Sequence, residues 1–335
     1  MMIFGALAII MAGCTRFIDS SYEDASSVPE WVVDIDVPVP VELKVSSIPT
    51  RGAITSLEDM TGKTFRVFAD NKNNEGILDI AGMETLDNRE AVFKKYSDGS
   101  YGFDFGKPVP CYPVVSEGDY SFYAYHFYGS SHGRVRYEDD NSAVYVRVVT
   151  ATDEDVLWGV AQTDGAGFNA KYLRQGGLGP NLRFKHVTAG VSFKIKAHQT
   201  LPQLKVKAIT YYNIPTKAEL CIIDKRTGGE NLQGTLLKDT YMYGNLVFTF
   251  DNPLELSDFY HELFIAPEDT DYFKCTLTLV GDNGEFETSR VVANPEQFLT
   301  GSLKNMGYVS GYKYNYDLFI NSNYELELQK RISNE

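Results

Sequence analysis

The chain has 335 residues, with 31 Lys+Arg against 45 Asp+Glu and a formal charge of −14. It is too long for one ordinary domain, and its 43% hydrophobic content is enough to pack a core. It lacks the basic balance that nucleic-acid binding demands, and the mix of 22 Tyr, 20 Phe and 28 Gly excludes collagen and coiled coil and leans towards β structure.

Met1 to Met11 (MMIFGALAIIM) is an uncharged apolar run. It is too short to span a bilayer and fits the h-region of a signal peptide over residues 1–13, although no Lys or Arg precedes it. Met11-Ala12-Gly13-Cys14 places small residues directly before a cysteine, the pattern of a lipobox, with an ordinary signal peptide containing a Cys as the other reading. Lipidated at Cys14, the chain would be anchored to a membrane rather than span it. Residues 14–30 are polar and aperiodic, and read as a tether.

Val33, Ile35, Val37, Val39, Val41, Leu43 and Val45 then alternate with polar residues and prolines. The period of two predicts one long half-buried strand, odd residues inward. Pro38 and Pro40 lack the N–H a ladder needs, which places it at a sheet edge. Further strands are predicted at 64–69, 101–105, 119–128, 143–149, 156–161, 184–197, 204–212, 218–223, 246–250, 262–266, 273–280, 286–292, 312–320 and 324–329. A short helix is expected within 168–175. Many short strands between turn residues predict an all-β protein of packed sheets. The Gly-rich loop 175–183 is the best boundary, dividing the folded part into 31–180 and 181–335.

Catalytic and metal chemistry leave little trace. The chain lacks a GxSxG elbow, an HExxH pair, a GxGxxG fingerprint and a phosphate-binding loop, so it reads as no enzyme and calls for no cofactor. Cys111, Cys221 and Cys275 lack zinc spacing and read as small hydrophobes in strands. His126, His132, His186, His198 and His261 are scattered and read as structural. Asp70 to Glu75 (DNKNNE) resembles a calcium loop, but Lys72 falls on a ligand position in one register and Gly82 replaces the final Glu in the next, so it reads as a surface turn. Asp139-Asp140 and Asp153-Glu154-Asp155 read as solvated loops. The aromatic run Tyr120 to Tyr128 reads as core in preference to a sugar platform.

Several segments stand in a recognisable order: Cys14 and its tether, a long first strand ending in Thr50-Arg51-Gly52-Ala53-Ile54-Thr55, Asp155-Val156-Leu157-Trp158-Gly159, Leu182 to Phe193 (LRFKHVTAGVSF), and Gly311-Tyr312-Lys313-Tyr314-Asn315-Tyr316. Over residues 14–330 the chain resembles the fimbrillin family of Bacteroidota lipoproteins, which build type V pili. The resemblance implies two tandem transthyretin-like β-sandwich domains and export as an outer-membrane lipoprotein precursor. It also implies cleavage by an arginine-specific protease between Arg51 and Gly52, release of strand 33–45, and assembly with other pilus subunits by donor-strand exchange for adhesion to a host or bacterial surface ligand.

The residues suit that scheme. An apolar strand, once removed, leaves a groove with open ladder groups, and Arg51 stands between Pro49 and Gly52 in a segment suited to protease entry. Tyr324, Leu326 and Leu328 alternate with polar residues near the C-terminus and form the candidate donor strand, short for a stalk subunit. Two other classes remain open: a glycan-binding surface lipoprotein that forms no fibre, and a surface hydrolase, which would need converging carboxylates.

Overall fold

A computed structural model of the chain describes residues 37–48, 54–74, 76–79, 83–113, 118–129, 133–162, 167–201, 203–226, 231–267, 272–293 and 307–329. In chain order its first strands are β1 (Val39–Pro40), β2 (Lys44–Ser47), β3 (Thr64–Asn71), β4 (Arg89–Lys95), β5 (Tyr101–Asp104), β6 (Cys111–Tyr112), β7 (Tyr120–His126), β8 (Arg134–Tyr137), β9 (Ala143–Val149) and β10 (Leu157–Ala161). Then come β11 (Asn181–His186), β12 (Ala189–Ala197), β13 (Lys205–Asp224), β14 (Leu236–Glu255), β15 (Tyr260–Ile265), β16 (Tyr272–Gly281), β17 (Gly284–Ala293), β18 (Lys313–Ile320) and β19 (Leu326–Gln329). The α-helices α1 (Leu57–Met60) and α2 (Ala170–Arg174) are single turns. Ser56 and Asp59 form a capping box on α1, and the Asn169 side chain accepts from Tyr172 N to start α2.

β10, β11, β2, β5, β4, β3 and β7 hydrogen-bond in that order and close into a barrel. Closure leaves no open edge along this sheet. Val41, Leu43, Val45, Phe65, Phe93, Phe103, Phe122 and Phe184 fill its interior. Downstream, β15-β12-β18-β19 form one sheet, and β17-β16-β13-β9-β8 form another, with β14 pairing along β13. Val191, Phe193 and Ile195 of β12 pack with Tyr211 of β13, Leu277 of β16 and Leu318 of β18, making a sandwich core between the two sheets.

Strand β13 couples these bodies. Its first half pairs with β16 inside the sandwich, and its second half pairs with β9. That second half packs on the outside of the barrel: Phe68, Tyr123, Tyr125 and Trp158 meet Val144, Val146, Ala218, Leu220 and Ile222. Trp158 Nε1 donates to Ile222 O at 3.0 Å across this interface. Hence β7 is buried along its whole length, with Phe122 facing the barrel interior and Tyr123 the sheet outside it. Aromatic residues on both faces of one strand serve two cores.

Several predicted elements change shape. The single strand expected over 184–197 is two strands, β11 and β12, which turn at Val187-Thr188 into different sheets. β11 completes the barrel, so the barrel takes residues from both sides of the 180/181 division. The strands expected at 204–212 and 218–223 are one 20-residue strand. Asn213 at φ +53° and a register shift between Tyr211 and Ile214 carry the ladder through what reads in sequence as a turn. β4, β6 and β8 were not predicted, being short or strongly charged.

Candidate functional site

The first strand is the natural candidate, and it is built in two pieces. Among the described residues β1 pairs with β6 alone, with Val39 opposite Tyr112 and Pro40 opposite Cys111. This two-stranded ladder is where a residue without an N–H can sit. Past Pro40 the chain enters the barrel: Val41 N donates to Pro110 O at 2.9 Å and Lys44 N to Pro180 O at 3.0 Å. β2 then lies between two neighbours, parallel to β11 and antiparallel to β5. The edge position expected from Pro38 and Pro40 therefore holds for residues 39–40 and fails for 44–47, because proline constrains only the ladder in which it stands.

Side-chain placement follows the predicted period where the chain is in the barrel. Val41, Leu43 and Val45 are at most 4% exposed, while Glu42, Lys44 and Ser46 face outward. Val39 is half-buried and Val37 is exposed. Of the five predicted inward side chains that fall in the described residues, Val41, Leu43 and Val45 make the deep contact. At about 1.5–3 kcal/mol each, their burial is worth on the order of 5–9 kcal/mol as an upper bound. Val33, Ile35, Cys14, Arg51 and Gly52 lie outside the described residues.

Two further contacts shape this seat. A Cβ added at Gly102 of β5 would come within 2.5 Å of Leu43 O, so only glycine lets β5 approach the first strand so closely. Asn181 Nδ2 donates to Ser46 Oγ at 2.8 Å from the β11 side. Sequence reading missed both, since a lone Gly inside a strand pattern does not say which backbone it approaches.

The candidate donor lies far along the chain and in the other core. β19 pairs with β18, Leu326 opposite Ile320 and Leu328 opposite Leu318. Leu326 is buried and Leu328 half-buried in the sandwich, whereas Tyr324 stands outside β19 in the preceding turn and is exposed.

Several described titratable groups make structural contacts. His126 Nδ1 is 2.7 Å from Thr64 O. His126 and Lys63 hold the Glu154 carboxyl down at about 2, with Lys63 Nζ at 2.5 Å the closer contact and His126 Nε2 at 3.8 Å. Asp155, expected in a solvated loop, is instead buried, with Oδ2 at 2.5 Å from His186 Nδ1 and Oδ1 accepting from Thr188. Asp70, expected in a surface turn, is also buried; Lys225 reaches it from the end of β13 at 3.1 Å. Lys225 Nζ also donates to Asn71 O, which puts an ammonium beside the oxygens that a calcium loop would present to its ion. Cys221 and Cys275 are buried in strands, where burial pushes both thiols up to about 12; Cys111 is half-buried in β6. Among the described residues no group of three or more His, Cys, Asp or Glu is arranged to hold a metal ion. None of the described helices is long and apolar enough to cross a membrane.

Comparison with known proteins agrees with this architecture. No curated protein matches the chain in sequence. A candidate cell adhesion protein from Bacteroides uniformis superposes with TM-score 0.54 at 18% identity, covering 89% of this chain and 98% of its own. Another, from Bacteroides fragilis, gives TM-score 0.51 at 14% identity, covering 89% and 99%. At such identities the likeness is one of fold. The sequence model of a family described as fimbrillin-like matches residues 51–334. The chain belongs to this fimbrillin-like family.

Proposed function

We propose that the chain is a cell-surface fimbrial subunit with a structural role. It is exported as a precursor lipidated at Cys14 on the outer membrane, cut after Arg51 by an arginine-specific protease, and joined to other subunits by donor-strand exchange. The observation that carries this reading is the seat of the first strand. Among the described residues β2 is the one strand of the barrel that precedes Arg51, and it lies between β5 and β11. Its loss would open the closed ladder and expose the apolar floor now covered by Val41, Leu43 and Val45. The family match starting at residue 51, just past that strand, supports the same division. The donor is the last strand, through Leu326 and Leu328; these anchors sit in the sandwich, away from the barrel they would complement in a neighbour. Adhesion, the role named for the proteins that share the fold, fits a fibre or a surface subunit of this build.

The test is digestion of the purified precursor with trypsin, followed by gel analysis of SDS-resistant multimers. Trimming at Arg51 is expected to yield ladders. Arg51→Ala keeps the first strand attached, so it competes within its own molecule at high effective concentration and the precursor stays monomeric. Multimers of Arg51→Ala equal to those of the parent would falsify strand exchange driven by this cut.

A further inference from the structure

At one end of the sandwich three connections converge. They are Thr200, Leu201, Gln203 and Leu204 between β12 and β13, the Gly281–Gly284 turn between β16 and β17, and the Asn321–Glu325 turn between β18 and β19. Between them lies a cavity of about 390 Å³, within the range of small-ligand sites, lined by Gln203, Asp282, Asn283, Glu285, Phe286 and Tyr324 among others.

Tyr324 is the unusual member. Its φ is +64°, the left-handed region, where asparagine or glycine is at ease and a bulky side chain pays roughly 1–2 kcal/mol. The other non-glycine residues of positive φ among the described ones are three asparagines and one alanine. Asn321 imposes the conformation: its Oδ1 accepts from Asn323 N and Glu325 N, while its backbone O accepts from Tyr324 N. The turn would therefore be more stable with asparagine at 324. Core packing does not account for the tyrosine, since it is 41% exposed. Its ring stands at 86° to Phe286, centroids 5.0 Å apart, which sets its direction over the cavity. Strain held at an exposed aromatic residue above a cavity is a mark of function.

We infer that this cavity is a binding site for a neutral oligosaccharide, with Tyr324 as the stacking platform. The ring offers an apolar face to the C–H side of a pyranose. Gln203 and Asn283 bring amides, and Asp282 a carboxylate, groups that pair with sugar hydroxyls. Among the described residues the lining carries two carboxylates, Asp282 and Glu285, the latter paired with Lys207, and no cation, so the mouth is acidic. Sulfated, phosphorylated or sialylated ligands are thereby disfavoured.

Exchange of β19 would carry Tyr324 away from Phe286, so the test uses the uncut full-length precursor and is independent of polymerisation. Maltohexaose, cellohexaose, laminarihexaose and xylohexaose are titrated by saturation-transfer NMR and calorimetry, with a chondroitin sulfate hexasaccharide as the anionic comparison. At least one neutral hexasaccharide should bind in the micromolar-to-millimolar range. Tyr324→Asn should weaken it tenfold or more while leaving the thermal midpoint unchanged or raised, because the turn relaxes as the platform goes. Tyr324→Phe should keep binding. The inference is overturned if none of the four binds, if only the sulfated probe binds, or if Tyr324→Asn binds as the parent does. A lowered midpoint for Tyr324→Asn with unchanged binding would assign the ring to packing on Phe286 instead.

Discussion

His261 shows how burial turns one side chain into a pH-dependent part of the fold. Its ring lies 4.4 Å from that of Phe248, with Phe250, Phe259 and Tyr211 around it, and burial pushes its pKa down to about 4. Tyr211 Oη is 2.7 Å from Nδ1, which suits a neutral imidazole accepting the hydroxyl proton. The unfolded chain takes up this proton near pH 6.5 and the folded chain only near 4, so stability is full above 6.5 and falls as pH drops between the two. The loss is on the order of 2–3 kcal/mol by pH 4. Urea midpoints measured from pH 7 to pH 4 should show this slope. His261→Gln should flatten it, and an unchanged slope in that variant would place the pH dependence elsewhere.

At the scale of elements, the seating of the first strand and the edge of β14 that no described strand covers behave differently under substitution. Gly102→Ala inserts a methyl against Leu43 O, a backbone atom that moves only if β2 shifts. The variant should fold, but with faster tryptic release of the segment before Arg51, read by mass spectrometry over time. A release rate equal to the parent's would mean that β5 does not hold β2. On β14 the ten residues Tyr241 to Phe250 carry no charge, and Met242, Tyr243 and Val247 are exposed. Such a stretch invites edge-to-edge pairing. Val247, at 61% exposed, should accept lysine with a stability change within about 0.5 kcal/mol. Val247→Lys should also raise the concentration at which light scattering detects aggregation; no gain would show that the register shifts along β13 already protect this edge.

The whole molecule is held by sharing rather than by a linker. β11 belongs to the barrel although it follows the Gly-rich loop, and β9 belongs to the sheet of β13 although it precedes that loop. A fragment of residues 37–180 therefore lacks β11 and leaves β2 and β10 unpaired on one side, and it should be unfolded by circular dichroism and proteolysis. The full chain should melt in one calorimetric transition, because the interface around Trp158 and Leu220 is as buried as either core. Two resolved transitions, or a folded 37–180 fragment, would show that barrel and sandwich are independent.

The sequence by itself determined the all-β class, the period-two burial of Val41, Leu43 and Val45, the short helix at Ala170–Arg174, and the structural use of the buried cysteines. Each is a local matter, since alternation, a capping asparagine or an apolar neighbourhood acts over a few residues. Only the tertiary structure decided which strands were neighbours. Pro40 predicts an edge, and four residues later the same strand lies between β5 and β11. Asp70 and Asp155 read as surface carboxylates until Lys225 and His186 arrive from far along the chain. Tyr324 reads as the first anchor of a last strand until the turn around Asn321 lifts it out. Pairing partners, buried charges and strained turns all depend on groups distant in sequence, and no local pattern encodes them.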